Sequence, residues 1–246
     1  MSGRDRMPPS LPSHLTRTPE EQVRWAELNS RTYLPLTAVQ LWENLPRVLL
    51  GATFFSIASA PGFVLFVLGL PWLALLCCVG LVTPAWVGLL AYEGWLARGY
   101  PGSTGLLLFG FRHRWLDSLR LGAIGAFPLS ATLWFALSPN DGLTPLASGA
   151  WVLLILLGCL ILMSVTIYAL PLLALFDAPV TNALQNSVIL SARYVVNTLG
   201  LAALAVLLAF CVSYVSLGLL LILPACFALF VVNNCLLVAH SESMNP

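Results

Sequence analysis

The stretch that decides the fold runs from Val48 to Tyr92: VLLGATFFSIASAPGFVLFVLGLPWLALLCCVGLVTPAWVGLLAY. It contains no Asp, Glu, Lys or Arg, and the charged residues that flank it are Arg47 and Glu93. One apolar helix needs about 20 residues to cross about 30 Å of hydrocarbon, so this stretch is long enough for two crossings. The sequence Gly69-Leu70-Pro71 near its middle predicts a turn between two paired helices.

The remainder of the chain continues this pattern. A second uncharged stretch lies between Arg193 and Glu242, with a predicted turn from Ser213 to Gly218, and the apolar stretches Leu121 to Leu137 and Leu146 to Phe176 each predict one span. The sequence therefore predicts an all-α membrane protein with six transmembrane helices in three hairpins. The predicted spans lie near residues 48–69, 71–93, 117–138, 147–175, 197–214 and 218–239. The alternative is five spans followed by a C-terminal re-entrant segment.

The composition excludes the soluble globular classes and sets the expected orientation. Hydrophobic residues make up 59% of the chain and charged residues 9%, with a mean hydropathy of +0.90. All 11 basic residues are arginines, and six spans place all of them on one side of the membrane. Because basic residues near span ends mark the cytoplasmic face, we expect a multi-pass membrane protein with both termini cytoplasmic. The loop Pro139-Asn140-Asp141-Gly142, which has no basic residue, is expected outside.

The predicted organisation has three parts: a cytoplasmic N-terminal arm at residues 1–37, a transmembrane helical domain at 38–240 and a cytoplasmic tail at 241–246. Short interfacial amphipathic helices are predicted before the first, third and fifth spans. The second of them is predicted as one stretch from Phe109 to Arg120. The third begins at Val180, and Asp177 is expected to act as its N-cap.

Each amphipathic helix and the hairpin that follows it form a unit, and three such units indicate an internal repeat. The second span of every unit contains a proline followed by small and apolar residues, at Pro84, Pro171 and Pro224. A single ancestral hairpin copied three times is one explanation. Convergent composition of membrane helices is the other.

These motifs resemble those of the YesL-like family of bacterial integral membrane proteins. The resemblance is carried by Pro84-Ala85 with Trp95 to Gly99, by Phe109 to Trp115, and by Tyr168 to Phe176 followed by Asn182 to Ser191. It implies a location in the bacterial inner membrane and an association with carbohydrate uptake systems. No catalytic residues can be carried over from this resemblance, because none are established for that family.

Glu93 is the principal candidate for a functional group within the membrane, because ionisable groups there are costly. It is expected about one turn inside the end of the second span. It could form a pair with Arg47 or Arg98, or line a polar vestibule. The alternative is that its carboxylate reaches the interface and is solvated there.

Asn233 and Asn234 are the other candidate intramembrane polar contacts, since amides buried in the last span require partners. Asn233 stands nine residues after Pro224, as Glu93 does after Pro84. This equivalence predicts a Glu93–Asn233 contact between related helices. A structural contact is the expected role, and a ligand site is the alternative.

Phe111, Arg112, Arg114 and Trp115 form a candidate interaction face that combines aromatic and basic side chains. This composition suits anionic lipid headgroups or a partner helix better than nucleic acid, and no nucleic-acid partner is expected. The sequence contains no metal-ligand spacing, nucleophile elbow, phosphate loop or dinucleotide fingerprint. We therefore expect no catalytic residue, no cofactor and no metal.

Two functions compete on these observations. The first is a non-enzymatic accessory component of a (carbohydrate) transport system, whose partners are the lipid bilayer, transporter subunits or other copies of the chain. The second is an autonomous small transporter or channel built on a pseudo-symmetric hairpin repeat. A continuous polar cavity containing Glu93 and Asn233 favours the transporter, and a tightly packed bundle favours the accessory component.

Overall fold

The computed structural model describes residues 33–98, 104–137 and 145–244, and every regular element in these ranges is helical. Residues 1–32 of the predicted arm and the predicted outer loop at 139–142 lie outside the described residues. The helices are α1 (Tyr33–Glu43), α2 (Leu45–Val67), α3 (Pro71–Cys77), π1 (Cys78–Val82), α4 (Thr83–Ala97), α5 (Thr104–His113), α6 (Trp115–Leu137), α7 (Pro145–Ser164), π2 (Val165–Ala169), α8 (Leu170–Phe176), α9 (Val180–Arg193), α10 (Val195–Tyr214), a 3₁₀ segment (Leu217–Leu221) and α11 (Leu223–Met244).

Several of these helices are suited to crossing a membrane. The described part of the chain has four stretches that are long and apolar enough: Leu45–Val67, Pro71–Ala97, Trp151–Phe176 and Val195–Val212. A shorter apolar helix covers Leu223–Ala239. The prediction of an all-α chain with several helices long and apolar enough to span a membrane is confirmed. The last predicted span begins later than expected, at Leu223, because the 3₁₀ segment occupies the residues before it.

The three short amphipathic helices share one connection to the helix that follows. α1, α5 and α9 each end at a single turn residue, which is Asn44, Arg114 or Tyr194, and the next long helix begins immediately after it. The prediction of one helix from Phe109 to Arg120 was therefore wrong. The chain turns at Arg114, so the apolar side chains on either side of it belong to two different helices.

The repeated prolines coincide with changes in helix type. Pro84, Pro171 and Pro224 are each the second residue of their helix. A proline lacks an N–H, and inside a helix its ring clashes with the carbonyl four residues earlier. In the first two units a π-helical turn precedes the proline, and the N–H groups of Thr83 and Leu170 donate to carbonyls five residues back. In the third unit a 3₁₀ segment and a turn take that place.

The centre of the bundle is α4, most of whose side chains are buried. It packs against α2, α5, α8 and α11, and α8 and α11 also contact each other. The three helices that begin with a repeated proline therefore meet in the core. Trp86 on α4 stacks on Phe227 of α11, with ring centroids 5.9 Å apart, and contacts Phe55 of α2 edge-on.

Each short helix packs on a proline-containing stretch. α5 packs on α4, α9 packs on π2 and α8, and α1 packs on α11. The residue seven positions before each turn residue is buried in all three helices: Thr37, Leu107 and Ser187. The contact of α1 with α11 joins the first described helix to the last one. Each short helix therefore packs on a different unit from its own, and the three units form a ring of contacts.

Candidate functional site

Glu93 lies on α4 and is fully buried. Neither of its carboxyl oxygens has a hydrogen-bond partner. A β-carbon at Gly51 of α2 would lie 2.8 Å from Leu89 Cδ1 and 3.4 Å from Glu93 Oε1, so α2 passes close to α4 at this level. A carboxylate buried without a partner is destabilising by several kcal/mol. The position is therefore unusual for a purely structural residue.

The ion pairs that the sequence offered for Glu93 are not formed. The Arg47 guanidinium donates to Asn44 Oδ1 at 3.2 Å, and Arg98 Nη2 donates to the Leu175 carbonyl at 3.4 Å. Solvation at the interface is also contradicted, because no part of Glu93 is exposed in the described chain. Glu93 is thus a buried acid among helices rather than the acidic half of a surface pair.

Asn233 is fully buried on α11 and is bonded to α1. Its amide nitrogen donates to Thr37 Oγ1 at 3.0 Å and to Gln40 Oε1 at 2.8 Å, while its oxygen has no partner. The contact predicted between Glu93 and Asn233 is not a hydrogen bond, since neither Glu93 oxygen has a hydrogen-bond partner. Asn233 instead holds the first short helix to the last long helix.

Asn234, the other candidate on α11, points to a different neighbour. The amide nitrogen of Asn197 on α10 donates to Asn234 Oδ1 at 3.1 Å, and the amide nitrogen of Asn234 has no partner. The two adjacent asparagines therefore connect α11 to two separate helices. This difference makes them a matched pair for mutagenesis.

A cluster of hydroxyl side chains near π2 was not predicted from the sequence. Ser164 donates to Ser187 Oγ at 3.2 Å, and Ser191 donates to Ser164 Oγ at 3.1 Å. The Tyr168 and Thr198 hydroxyls are also within hydrogen-bonding distance, at 3.1 Å. The spacing of Ser187 and Ser191 by one helical turn was the signal that could have indicated this contact.

Tyr33 gives α1 a further attachment to α11. Its hydroxyl donates to the Phe230 carbonyl at 2.7 Å, and the two rings pack edge-on with centroids 6.1 Å apart. Burial, together with the nearby Tyr168, raises the pKa of the Tyr33 phenol. Tyr33 therefore remains a neutral hydrogen-bond donor throughout the physiological range.

The structure does not place the four residues of the candidate interaction face on one exposed surface. Phe111 is half-buried and packs edge-on against Phe54 of α2 and against Trp115, which is also half-buried. Arg114 forms ion pairs with Asp117, at 3.6 Å, and with Asp177. Arg112 is the member of this set that is exposed. The basic group available to a partner is therefore Arg112.

The expected N-cap role of Asp177 was wrong. The N-cap of α9 is Pro179, and it makes no side-chain capping bond. Asp177 instead follows α8 in the left-handed conformation, with φ 53° and ψ 29°, and its carboxylate pairs with Arg114. This conformation is sterically unfavourable for most non-glycine residues and is more tolerated by Asp. The ion pair connects the α5–α6 turn to the α8–α9 corner.

Three cavities of the described chain have largely apolar linings and do not include Glu93 or Asn233. One of about 320 Å³ lies beside both π-helical turns, one of about 370 Å³ lies between α10 and α11, and one of about 540 Å³ lies between α6 and α7. Their walls consist mainly of Leu, Val, Ala, Gly and aromatic side chains. They therefore suit hydrocarbon better than a hydrated solute.

Among the described residues there is no group of three or more His, Cys, Asp or Glu side chains that could hold a metal ion. No protein-family model, curated protein or solved structure matches the chain.

Proposed function

We propose that the protein is a multi-pass component of the bacterial inner membrane, with six spans in three hairpins and both termini in the cytoplasm. The four long apolar helices and the shorter one at Leu223–Ala239 support this arrangement. α6 supplies the remaining span, and the one-sided arginines set the orientation. The short helices α1, α5 and α9 then lie at the cytoplasmic side, each against a long helix.

Within that membrane arrangement, the protein acts as a non-enzymatic accessory component of a (carbohydrate) transport system. The observation that carries this proposal is that the side chains of Glu93 and Asn233 are both fully buried and have no surface accessible to solvent. A solute pathway requires polar groups that face a continuous hydrated cavity, whereas these groups lie in helix contacts. The packed interior supports action through the protein surface and through the short cytoplasmic helices. The resemblance to YesL-like proteins supports the association with transport.

Arg112 provides the test of this surface. We expect Arg112→Glu to reduce recovery of transporter subunits in affinity purification by about tenfold, which corresponds to a loss of about 1.4 kcal/mol in binding. The reason is that an exposed guanidinium beside apolar side chains suits an acidic site on a partner, and its reversal introduces repulsion. The measurement is quantitative mass spectrometry of the proteins recovered in mild detergent.

Arg120→Glu is the matched control, because the Arg120 side chain is 69% exposed and lies on the next helix. It should leave partner recovery within about twofold of the wild type. Arg114 is unsuitable for charge reversal, since its ion pair with Asp177 connects two parts of the structure. Undiminished recovery with Arg112→Glu would remove this residue from the partner surface.

An autonomous transporter or channel is the second candidate, and two observations favour it. Glu93 has two unpartnered carboxyl oxygens, and two of the long helical stretches contain π-helical turns. π-helical turns occur frequently at functional sites, and interrupted helices form binding sites in transporters. On this reading the purified protein moves a solute across liposomes without any partner.

A further inference from the structure

We propose that Glu93 is an occluded proton-binding site within the membrane, closed on the cytoplasmic side by α1. The inference rests on the proposed membrane location of α4. It goes beyond the accessory role because it assigns a ligand, the proton, to a group that the accessory role does not use.

The first support is the environment of the carboxyl group. Glu93 is fully buried, and no ion pair or hydrogen bond to either oxygen is found in the described chain. Gly51 of α2 lies close to it, since a β-carbon there would lie 3.4 Å from Glu93 Oε1. A carboxyl group in such surroundings is stable as the neutral acid, whereas a carboxylate requires a cation or several N–H donors. The proton is therefore the ligand that this site is built to hold.

The second support is the set of charged and titratable groups around α4. The Tyr92 phenol beside Glu93 in sequence and the Cys226 thiol on α11 lie within electrostatic reach of the carboxyl group. Neither supplies a positive charge. The basic and acidic groups on the neighbouring helices form no ion pair with Glu93; they are Arg47, Arg98, Arg112, His113, Asp117 and Arg120. None of these groups therefore neutralises a charged Glu93 carboxylate.

The third support concerns access. Cys226, Phe230 and Asn233 recur along one side of α11 at helical spacing, so this side leads from the neighbourhood of Glu93 towards α1. α1 is attached there through the Phe230 carbonyl and the Asn233 amide. Water can replace side-chain hydrogen bonds of this kind when a helix moves away. Asn233 Oδ1, which is unpartnered in the closed arrangement, gains a partner when water enters.

Carbodiimide labelling in proteoliposomes tests the proton-binding site. A carbodiimide reacts with a protonated carboxyl group: the acid proton moves to a carbodiimide nitrogen and the carboxyl oxygen bonds to the central carbon, with no leaving group. We expect dicyclohexylcarbodiimide, which is apolar, to modify Glu93 at neutral pH. A water-soluble carbodiimide should react about ten- to hundredfold more slowly, because only a minor open population is accessible to it. Mass spectrometry of the peptide that contains residue 93 measures both rates.

Glu43, which is exposed on α1, is the internal control for the water-soluble reagent, and Glu93→Gln is the control for the site of modification. Absence of Glu93 labelling by the apolar reagent at neutral pH overturns the proposal. Equal rates with the two reagents also overturn it, because they indicate a solvated carboxyl group. These labelling rates do not depend on any partner. The proton-binding proposal can therefore fail while the partner-recovery experiment succeeds, and the reverse.

Variants of the two adjacent asparagines test whether water reaches Glu93 from the side that α1 covers. Asn233→Ala removes the side-chain bonds to Thr37 and Gln40 of α1, and Asn234→Ala removes the bond to α10. We expect the first variant to raise the water-soluble labelling rate of Glu93 about tenfold and the second to leave it unchanged. Gln40→Leu serves as the second variant if Asn233→Ala does not insert. An equal effect of the Asn233 and Asn234 variants contradicts closure by α1.

Discussion

Replacing Glu93 with lysine is expected to lower the stability of the detergent-solubilised protein by about 3–5 kcal/mol, the cost typical of an uncompensated buried charge. The Glu93 side chain is fully buried, and none of the ion pairs found among the described residues includes it. The lysine must therefore become neutral, or the contact between α2 and α4 must open. Thermal unfolding of the purified variants measures the effect.

Two controls make this result specific to burial. Glu43→Lys introduces the same change at an exposed position and should shift stability by less than about 1 kcal/mol, the upper end of what an exposed ion pair contributes. Glu93→Gln keeps the shape of the neutral acid and should remain within about 1 kcal/mol of the wild type. Equal melting temperatures for Glu93→Lys and Glu43→Lys would show that residue 93 is in contact with water.

Replacing Gly88 with valine is expected to destabilise the bundle by about 1–3 kcal/mol through overpacking. A β-carbon at Gly88 would lie 3.1 Å from the Phe111 backbone nitrogen and 3.2 Å from the Leu107 carbonyl oxygen. Because these contacts are with backbone atoms, α5 must move as a whole to accommodate a side chain. Small residues permit close helix approach of this kind in membrane proteins. The same thermal unfolding assay applies.

Gly200→Val is the matched control for this substitution. Gly200 lies within α10, and a β-carbon there would have no neighbour within 4 Å. The control should therefore preserve the melting temperature, while Gly88→Val lowers it. Comparable losses for both variants would mean that helix propensity, not the α4–α5 contact, determines the effect.

The helical architecture could be predicted from the sequence because its main signals are local. The uncharged stretch from Val48 to Tyr92 required two long apolar helices, and helices α2 and α3–α4 occupy it. The turn residue Arg114 could not be predicted in the same way. Apolar periodicity continues across it, and the break is set by the packing of α5 against α4 and by the ion pair of Arg114 with Asp177.

The site was predictable in position but not in its contacts. Glu93 was identified because an acidic residue inside an apolar helix is costly, and this argument requires no knowledge of neighbours. The hydrogen-bond partners of Asn233 are Thr37 and Gln40, which are more distant from it in sequence than Glu93 is. Sequence equivalence after the repeated prolines indicated Glu93 as the partner, but α1 occupies that role. The helix that packs against Asn233 is determined by the packing of the whole bundle, which local sequence does not specify.

Topology mapping tests the six-span arrangement, on which the cytoplasmic partner surface and the membrane location of Glu93 both depend. The measurement is labelling of single cysteines, introduced as Asp141→Cys and Asn245→Cys in a chain whose native cysteines are replaced, with a membrane-impermeant maleimide on intact cells. We expect labelling at residue 141 in intact cells and labelling at residue 245 only after lysis. Labelling of residue 245 from outside the intact cell would contradict the six-span arrangement.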